Sequence, residues 1–241
     1  MKNVLLVGLG EWGKVIHRSL KQIKSIKKIL IIKSRKSKKN TNLDDIEWVI
    51  ITANNQNHFK LVKKYLNLKI NVFCEKPLTL KIKDSLKLYK IARRNRCKVY
   101  VSDVENYKKI KLSIKQKNEI SRSKFSNFKK DILYRLVYHD FTYLYKYLKS
   151  IKNIKIKIID KGKGFLKFNL EKNGKVFSFS YNLNTRIKVH KFNNKSLISK
   201  KNVLKDMLNK VISKNVDFEK NRKISLFSEN MCLKILKLTK N

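Results

Sequence analysis

Three of the chain's six glycines fall within six positions, Gly8-Leu9-Gly10-Glu11-Trp12-Gly13, directly after the apolar run Val4-Leu5-Leu6-Val7. An unbroken apolar run closed by glycine is the pattern of a strand buried on both faces. Beyond it, Val15, Ile16, Leu20 and Ile23 recur at helical spacing. A strand, a glycine turn and a helix in that order favour a parallel sheet whose strands are joined by crossover helices. In such a turn the glycines allow a tight bend, bring backbone close to a pyrophosphate and let helix pack on strand. The helix N-terminus adds N–H groups and partial positive charge. Gly8, Gly10 and Gly13, with Glu11 and Trp12 between them, are therefore expected to bind a dinucleotide.

The same alternation continues. Apolar runs at Ile29–Ile32, Trp48–Ile51, Val72–Cys74 and Val99–Val101 are separated by helical faces such as Leu61, Val62, Tyr65, Leu66 and Leu86, Tyr89, Ala92. Residues 1–101 are expected to form a dinucleotide-binding Rossmann domain with a doubly wound parallel sheet. Residues 102–241 are expected to form a second, α+β domain, to which the family resemblance given below assigns substrate binding and oligomerisation. There, helical stretches are predicted near 106–120 and 131–149, followed by alternating segments from Ile154 to Phe192 with turns at Gly162, Gly164 and Asn173-Gly174. That is the pattern of a mostly antiparallel open sheet, closed by two helices through Leu204–Ile212 and Ile224–Ile235.

The end of the second strand bears on which dinucleotide binds. An acidic residue about 20 positions past the last glycine would hold the ribose diol of NAD. Here the chain reads Lys33-Ser34-Arg35-Lys36. Ser34 and Arg35 suit a 2′-phosphate, so NADP is expected, with NAD as the alternative.

Charge is a weaker guide than it first looks. Lys and Arg number 60 against 17 Asp and Glu, a formal net charge of +43. Of the 60, 51 are Lys spread along the whole chain and only nine are Arg, whereas specific nucleic-acid recognition favours the guanidinium fork. The expectation is a cationic surface that draws in anionic small molecules, with no specific nucleic-acid partner. No stretch approaches the roughly 18 unbroken apolar residues of a membrane helix. Met1-Lys2-Asn3 leads straight into the first strand, so a cytoplasmic protein is expected. Cys74, Cys97 and Cys232 are too scattered for a disulfide framework or a metal site.

Pro77, the only proline, closes Cys74-Glu75-Lys76-Pro77 after the fourth strand and points to a cis bond or sharp turn beside a site. One strand earlier stands Thr52-Ala53-Asn54-Asn55-Gln56-Asn57-His58. With the glycine turn, these segments resemble the Gfo/Idh/MocA oxidoreductase family. Glu75-Lys76-Pro77 corresponds to its Glu-Lys-Pro signature; Thr52, Asn54 and His58 correspond to its Thr-Pro-Asn and later His, with Ala53 in the proline's place. The resemblance implies that Thr52, Asn54, His58 and Glu75 serve the cofactor, and that Lys76 approaches the reacting hydroxyl or carbonyl.

In the second domain, Leu136-Val137-Tyr138-His139-Asp140 is similar to the family's helix bearing Asp-x-x-x-His, which makes His139 the implied acid/base. The Asp expected four residues earlier is Arg135. Asp140 points to another helix face, and Tyr138, Tyr143 and Lys76 stand as alternatives for the proton relay. Asn106, Lys108 and Lys109 occupy places where the family commonly has Arg, Asn and Pro. His17 and His190 read as surface residues. The second domain is also shorter than usual for the family, which implies a reduced sheet. The expected activity is hydride transfer between NAD(P) and a secondary alcohol or ketone of a sugar, sugar nucleotide or cyclitol, in a homo-oligomer assembled through the second sheet. The competing expectation is a dinucleotide-binding protein of the same fold with lost or altered catalysis.

Overall fold

Apolar runs that do not alternate must be covered on both sides, and the first five strands meet that demand. The computed structural model describes residues 1–33, 42–108, 110–199 and 202–240. Strands β1 (Lys2–Val7), β2 (Ile26–Ile32), β3 (Trp48–Ile51), β4 (Asn71–Cys74) and β5 (Val99–Val101) form one parallel sheet in the order β2-β1-β3-β4-β5. Helices α1 (Glu11–Lys21), α2 (Asn55–Asn67) and α3 (Ile82–Arg94) lie between the strands. Alternate side chains divide between two cores, as a period of two requires. Leu5, Val7, Val49, Ile51 and Val72 pack with Val62, Leu66, Leu88 and Ile91 from α2 and α3. Val4, Leu6, Trp48, Ile50 and Phe73 pack with Ile16 and Leu20 from α1 on the other face.

The second of these cores also receives α5 (Val203–Ile212). Leu204, Met207, Leu208, Val211 and Ile212 make one apolar stripe, each worth about 1.5–3 kcal/mol when buried. The outer edge of β5 is closed from α6 (Phe218–Lys240), where Asn221 Oδ1 accepts from Val101 N at 2.8 Å and Asn221 Nδ2 donates to Val101 O at 2.9 Å. One amide side chain thereby satisfies both exposed backbone groups of an edge residue. The chain accordingly divides into two units, Met1–Tyr107 with Asn202–Leu226, and Lys108–Lys201 with Phe227–Asn241. A single boundary at 101/102 misses this return of the chain.

The second unit is built on a six-stranded sheet in the order β11-β10-β6-β9-β8-β7. Its strands are β6 (Lys117–Ser123), β7 (Lys155–Gly162), β8 (Phe165–Lys172), β9 (Lys175–Asn182), β10 (Val189–Phe192) and β11 (Lys195–Ser196). Only β6 and β9 run parallel; the other pairs are antiparallel. Asn173-Gly174 forms the expected β8–β9 hairpin turn. Phe168, Phe179 and Tyr181 stack across neighbouring strands, and Phe141 of α4 (Tyr138–Leu148) packs on that row together with Phe227. The helix predicted near 106–120 is not present. Val104–Lys108 is a single 3-10 turn, and β6 occupies the end of that stretch. Ile110, Leu112 and Ile114 recur every second residue, and buried Asn118 and Ile120 keep that spacing, a strand period that takes precedence over the helical reading.

Candidate active site

In a parallel sheet the carboxyl ends of all strands share one edge, where successive loops can act together. At this edge β1 delivers the glycine turn, β3 delivers Thr52–His58, β4 delivers Glu75–Pro77 and β5 delivers Ser102-Asp103. The glycines have different reasons to be there. Gly8 has φ +98°, and a Cβ would lie 3.0 Å from both Ala53 N and Thr52 C. A Cβ on Gly13 would lie 2.4 Å from the Gly8 carbonyl oxygen. Both positions exclude any larger residue. Around Gly10 nothing lies within 4 Å of a Cβ position. Gly10 is the N-cap of α1, with extended backbone and no side-chain cap, followed by exposed Glu11 and Trp12. Nothing among the described residues requires glycine there, whereas a phosphate approaching the free N–H groups of the helix start would.

Thr52 ties the turn to the neighbouring strand: its Oγ1 donates to Gly8 O at 2.7 Å, and its amide donates to Val7 O at 2.9 Å. Asn54 is exposed as the N-cap of α2. His58 is fully buried, with Nδ1 2.7 Å from Pro77 O and Nε2 2.9 Å from Ala53 O. It therefore contacts the backbone of the two signature loops, not an open surface. Glu75 is buried, and its Oε1 has no hydrogen-bond partner among the described residues. A buried carboxylate oxygen left this way suits a hydroxyl donor from a ligand. Lys76 is half-buried and is joined to Pro77 by a cis peptide bond. The open space at Gly10 and the orphaned Glu75 oxygen together fit a dinucleotide. Ser34 and Arg35 lie outside the described residues.

One group at this edge was not singled out from the sequence. Asp103 is buried and accepts hydrogen bonds from Tyr100 Oη and, at 3.3 Å, from Asn106 Nδ2. Burial pushes its carboxyl up to about 6, against those hydrogen bonds, which pull it down. Burial likewise raises the Tyr107 phenol, 3.0 Å from Tyr100 Oη, to about 12. The available signal was an acidic side chain at a strand end in a chain with only 17 acids.

In the second unit, His139 occupies the first turn of α4 and is partly exposed. The preceding turn, Leu133–Val137, is a π-turn. Such a turn closes over five residues, so position 135 does not sit one regular turn below His139. The Arg135 guanidinium lies 4.7 Å from the Phe128 ring centre, and its Nε is 4.0 Å from Asp131. Of the alternative groups, Tyr138 is buried in the core, and the Tyr143 hydroxyl donates to Ile110 O. The surface reading of His190 is overturned. It is buried on β10, and its Nε2 is 2.8 Å from Asp140 Oδ1, which also accepts from Arg122 Nη1 at 3.0 Å. Burial alone would raise the Asp140 carboxyl, but His190 and Arg122 hold it below the usual range. Asp140 therefore fastens α4 to β6 and β10.

Residues 2–103 match the Gfo/Idh/MocA family, described as an oxidoreductase family with an NAD-binding Rossmann fold. No curated protein matches in sequence. Among solved structures, UDP-N-acetylglucosamine 3-dehydrogenase from Acidithiobacillus ferrooxidans superposes with a TM-score of 0.78 at 11% identity, covering 96% of this chain and 95% of that one. The WlbA dehydrogenase from Thermus thermophilus, in complex with NAD and UDP-GlcNAcA, gives 0.75 at 10% identity, with coverage of 96% and 95%. A Gfo/Idh/MocA family oxidoreductase from Vibrio cholerae gives 0.73 at 12% identity over the full length of both chains. At these identities the likeness is one of fold. Residues 2–103 are thus similar to the NAD-binding Rossmann domain of the Gfo/Idh/MocA oxidoreductases, and the chain shares its fold with solved structures that include a member of that family.

Proposed function

We propose that the protein is a nicotinamide-dinucleotide-dependent dehydrogenase or reductase acting on a secondary alcohol or ketone of a sugar, sugar nucleotide or cyclitol. The observation that carries this reading is the shared strand edge: the open helix start at Gly10, the unsatisfied Glu75 oxygen and half-buried Lys76 all belong to loops leaving it. The cofactor, when bound, supplies hydride exchange with the substrate carbon. Glu75 would accept a ribose hydroxyl, and the α1 amides would hold the pyrophosphate. The Lys76 ammonium would donate to the substrate oxygen, polarising a ketone, and would take up that proton again in the reverse direction. His139 on α4 is the second proposed proton carrier, on the strength of its place in the motif. The sugar-nucleotide dehydrogenases among the structural relatives support a carbohydrate-like substrate.

NADP is the proposed cofactor, with Ser34 and Arg35 as ligands of its 2′-phosphate. Arg35→Asp should then lower affinity for NADPH at least tenfold while leaving NADH within threefold, and an unchanged ratio would remove both residues from the site. The open face of the second sheet, which carries Ser121, Lys167, Asn169 and Ser178, is proposed as a surface between copies of the chain in a homo-oligomer. Following absorbance of the reduced dinucleotide over a panel of UDP-sugars and keto-sugars tests the activity itself. Arg135, with its guanidinium against Phe128 where the family has a carboxylate, favours a second reading, a dinucleotide-binding protein without turnover. Tight binding with no turnover across the panel would select it.

A further inference from the structure

His58 poses a problem of proton count. Both ring nitrogens face backbone carbonyl oxygens, Pro77 O at 2.7 Å and Ala53 O at 2.9 Å, in a site with no solvent exposure. A carbonyl oxygen only accepts, so each contact is a hydrogen bond only if the nitrogen carries a proton. A neutral imidazole has one N–H and one lone pair. It can satisfy one carbonyl while setting its lone pair against the other, and an unmatched buried acceptor is costly. The imidazolium satisfies both. The two carbonyls belong to different loops, one following β3 and one following β4, and the second carries Glu75 and Lys76.

We propose that His58 is a positioning residue, a proton-dependent clamp that ties the Thr52–Asn54 loop to the Glu75–Pro77 loop when both ring nitrogens are protonated and releases one of them when a proton is lost. The inference rests on the proposed role of Glu75 and Lys76 at the cofactor and substrate. Burial is the largest influence and holds the ring below the ordinary imidazole range; the Pro77 and Ala53 carbonyls and Glu75 pull the other way, and Lys76 adds to the lowering. The clamp is consequently complete on the acid side and loosens as pH rises. Its protein readout needs no ligand.

Nitrogen-15 NMR of the His58 ring in the unliganded full chain should show both nitrogens as imidazolium at the acid end of the folded range. They should convert together to a neutral tautomer as pH rises, and the Lys76 and Leu78 amide shifts should follow the same midpoint. A ring that stays one neutral tautomer over the whole folded range would overturn the clamp, as would a titration that leaves those amides unmoved. In a second measurement, NADPH affinity should weaken by about tenfold across that midpoint. In His58→Gln, whose side chain can donate through its amide nitrogen alone, the pH step should disappear. A pH step retained in His58→Gln would contradict the proposal. If NADPH does not bind at any pH, the proposed function fails while the ring titration still decides the clamp.

Discussion

Thr52 Oγ1 donates a 2.7 Å hydrogen bond to the Gly8 carbonyl, joining the loop after β3 to the glycine turn after β1. The same hydroxyl lies 2.9 Å from where a Cβ on Gly13 would stand, so it also enforces the third glycine of the turn. Thr52→Val keeps the shape and removes the donor. It should cost about 1 kcal/mol in urea unfolding and weaken dinucleotide binding severalfold, with Thr52→Ser restoring most of both. Unchanged affinity in Thr52→Val would show that the tie does not shape the site.

Asp140 bonded to His190 and Arg122 should be a principal stability determinant of the second unit. Asp140→Ala leaves buried cationic and polar groups without their partner, and a loss of about 3–5 kcal/mol is expected. Because the folded carboxyl is held below its unfolded value, its contribution is complete above the unfolded pKa of about 4 and is lost as pH falls through the folded value. Denaturant unfolding of the wild type and Asp140→Asn between pH 2 and 7 should give curves that converge in acid. Parallel curves would contradict the assignment.

Asp103 should act in the opposite sense. Its folded pKa, about 6, lies above the unfolded value, so its contribution is complete below about pH 4 and declines as pH rises through 6. Raising a carboxyl from about 4 to about 6 corresponds to roughly 2–3 kcal/mol. Asp103→Asn should flatten that part of the stability profile, whatever its effect on absolute stability. An unaltered slope between pH 4 and 6 would show that burial does not raise the carboxyl.

Lys76→Met tests the proposed chemistry separately from binding. Turnover should fall by about 100-fold or more, the usual range for losing a general acid or base, while the dinucleotide dissociation constant stays within threefold. A fully active variant would remove Lys76 from the reaction.

Much of the first unit could be read along the chain because its determinants are local. Val4–Val7 with Gly8, and Cys74 with Glu75-Lys76-Pro77, are strands running directly into their functional loops, and each signal lies within a few residues of its consequence. Asn173-Gly174 specified its hairpin for the same reason. What could not be read involves distance. His190 looked like a surface residue because its partner Asp140 is 50 positions away on another element. α5 looked like part of the second domain because its fit against Ile16 and Leu20 is a property of assembled surfaces. β6 was obscured by the lysines and polar residues that interrupt its strand period. Arg135 and His139 looked like one helical turn because a π-turn leaves no mark in residue spacing.

The central claim, a dinucleotide held over the open backbone of Gly10, is most directly tested by Gly10→Asp. Gly10 has φ −67° and free space around its Cβ position, and Asp is a favoured N-cap, so the fold should be kept and α1 stabilised by a few tenths of a kcal/mol. The same carboxylate would occupy and repel the pyrophosphate position. Titration calorimetry with NADPH and NADH should show at least a 100-fold loss of affinity for both, with a thermal midpoint equal to or above wild type. Wild-type affinity in a folded Gly10→Asp protein would contradict the account.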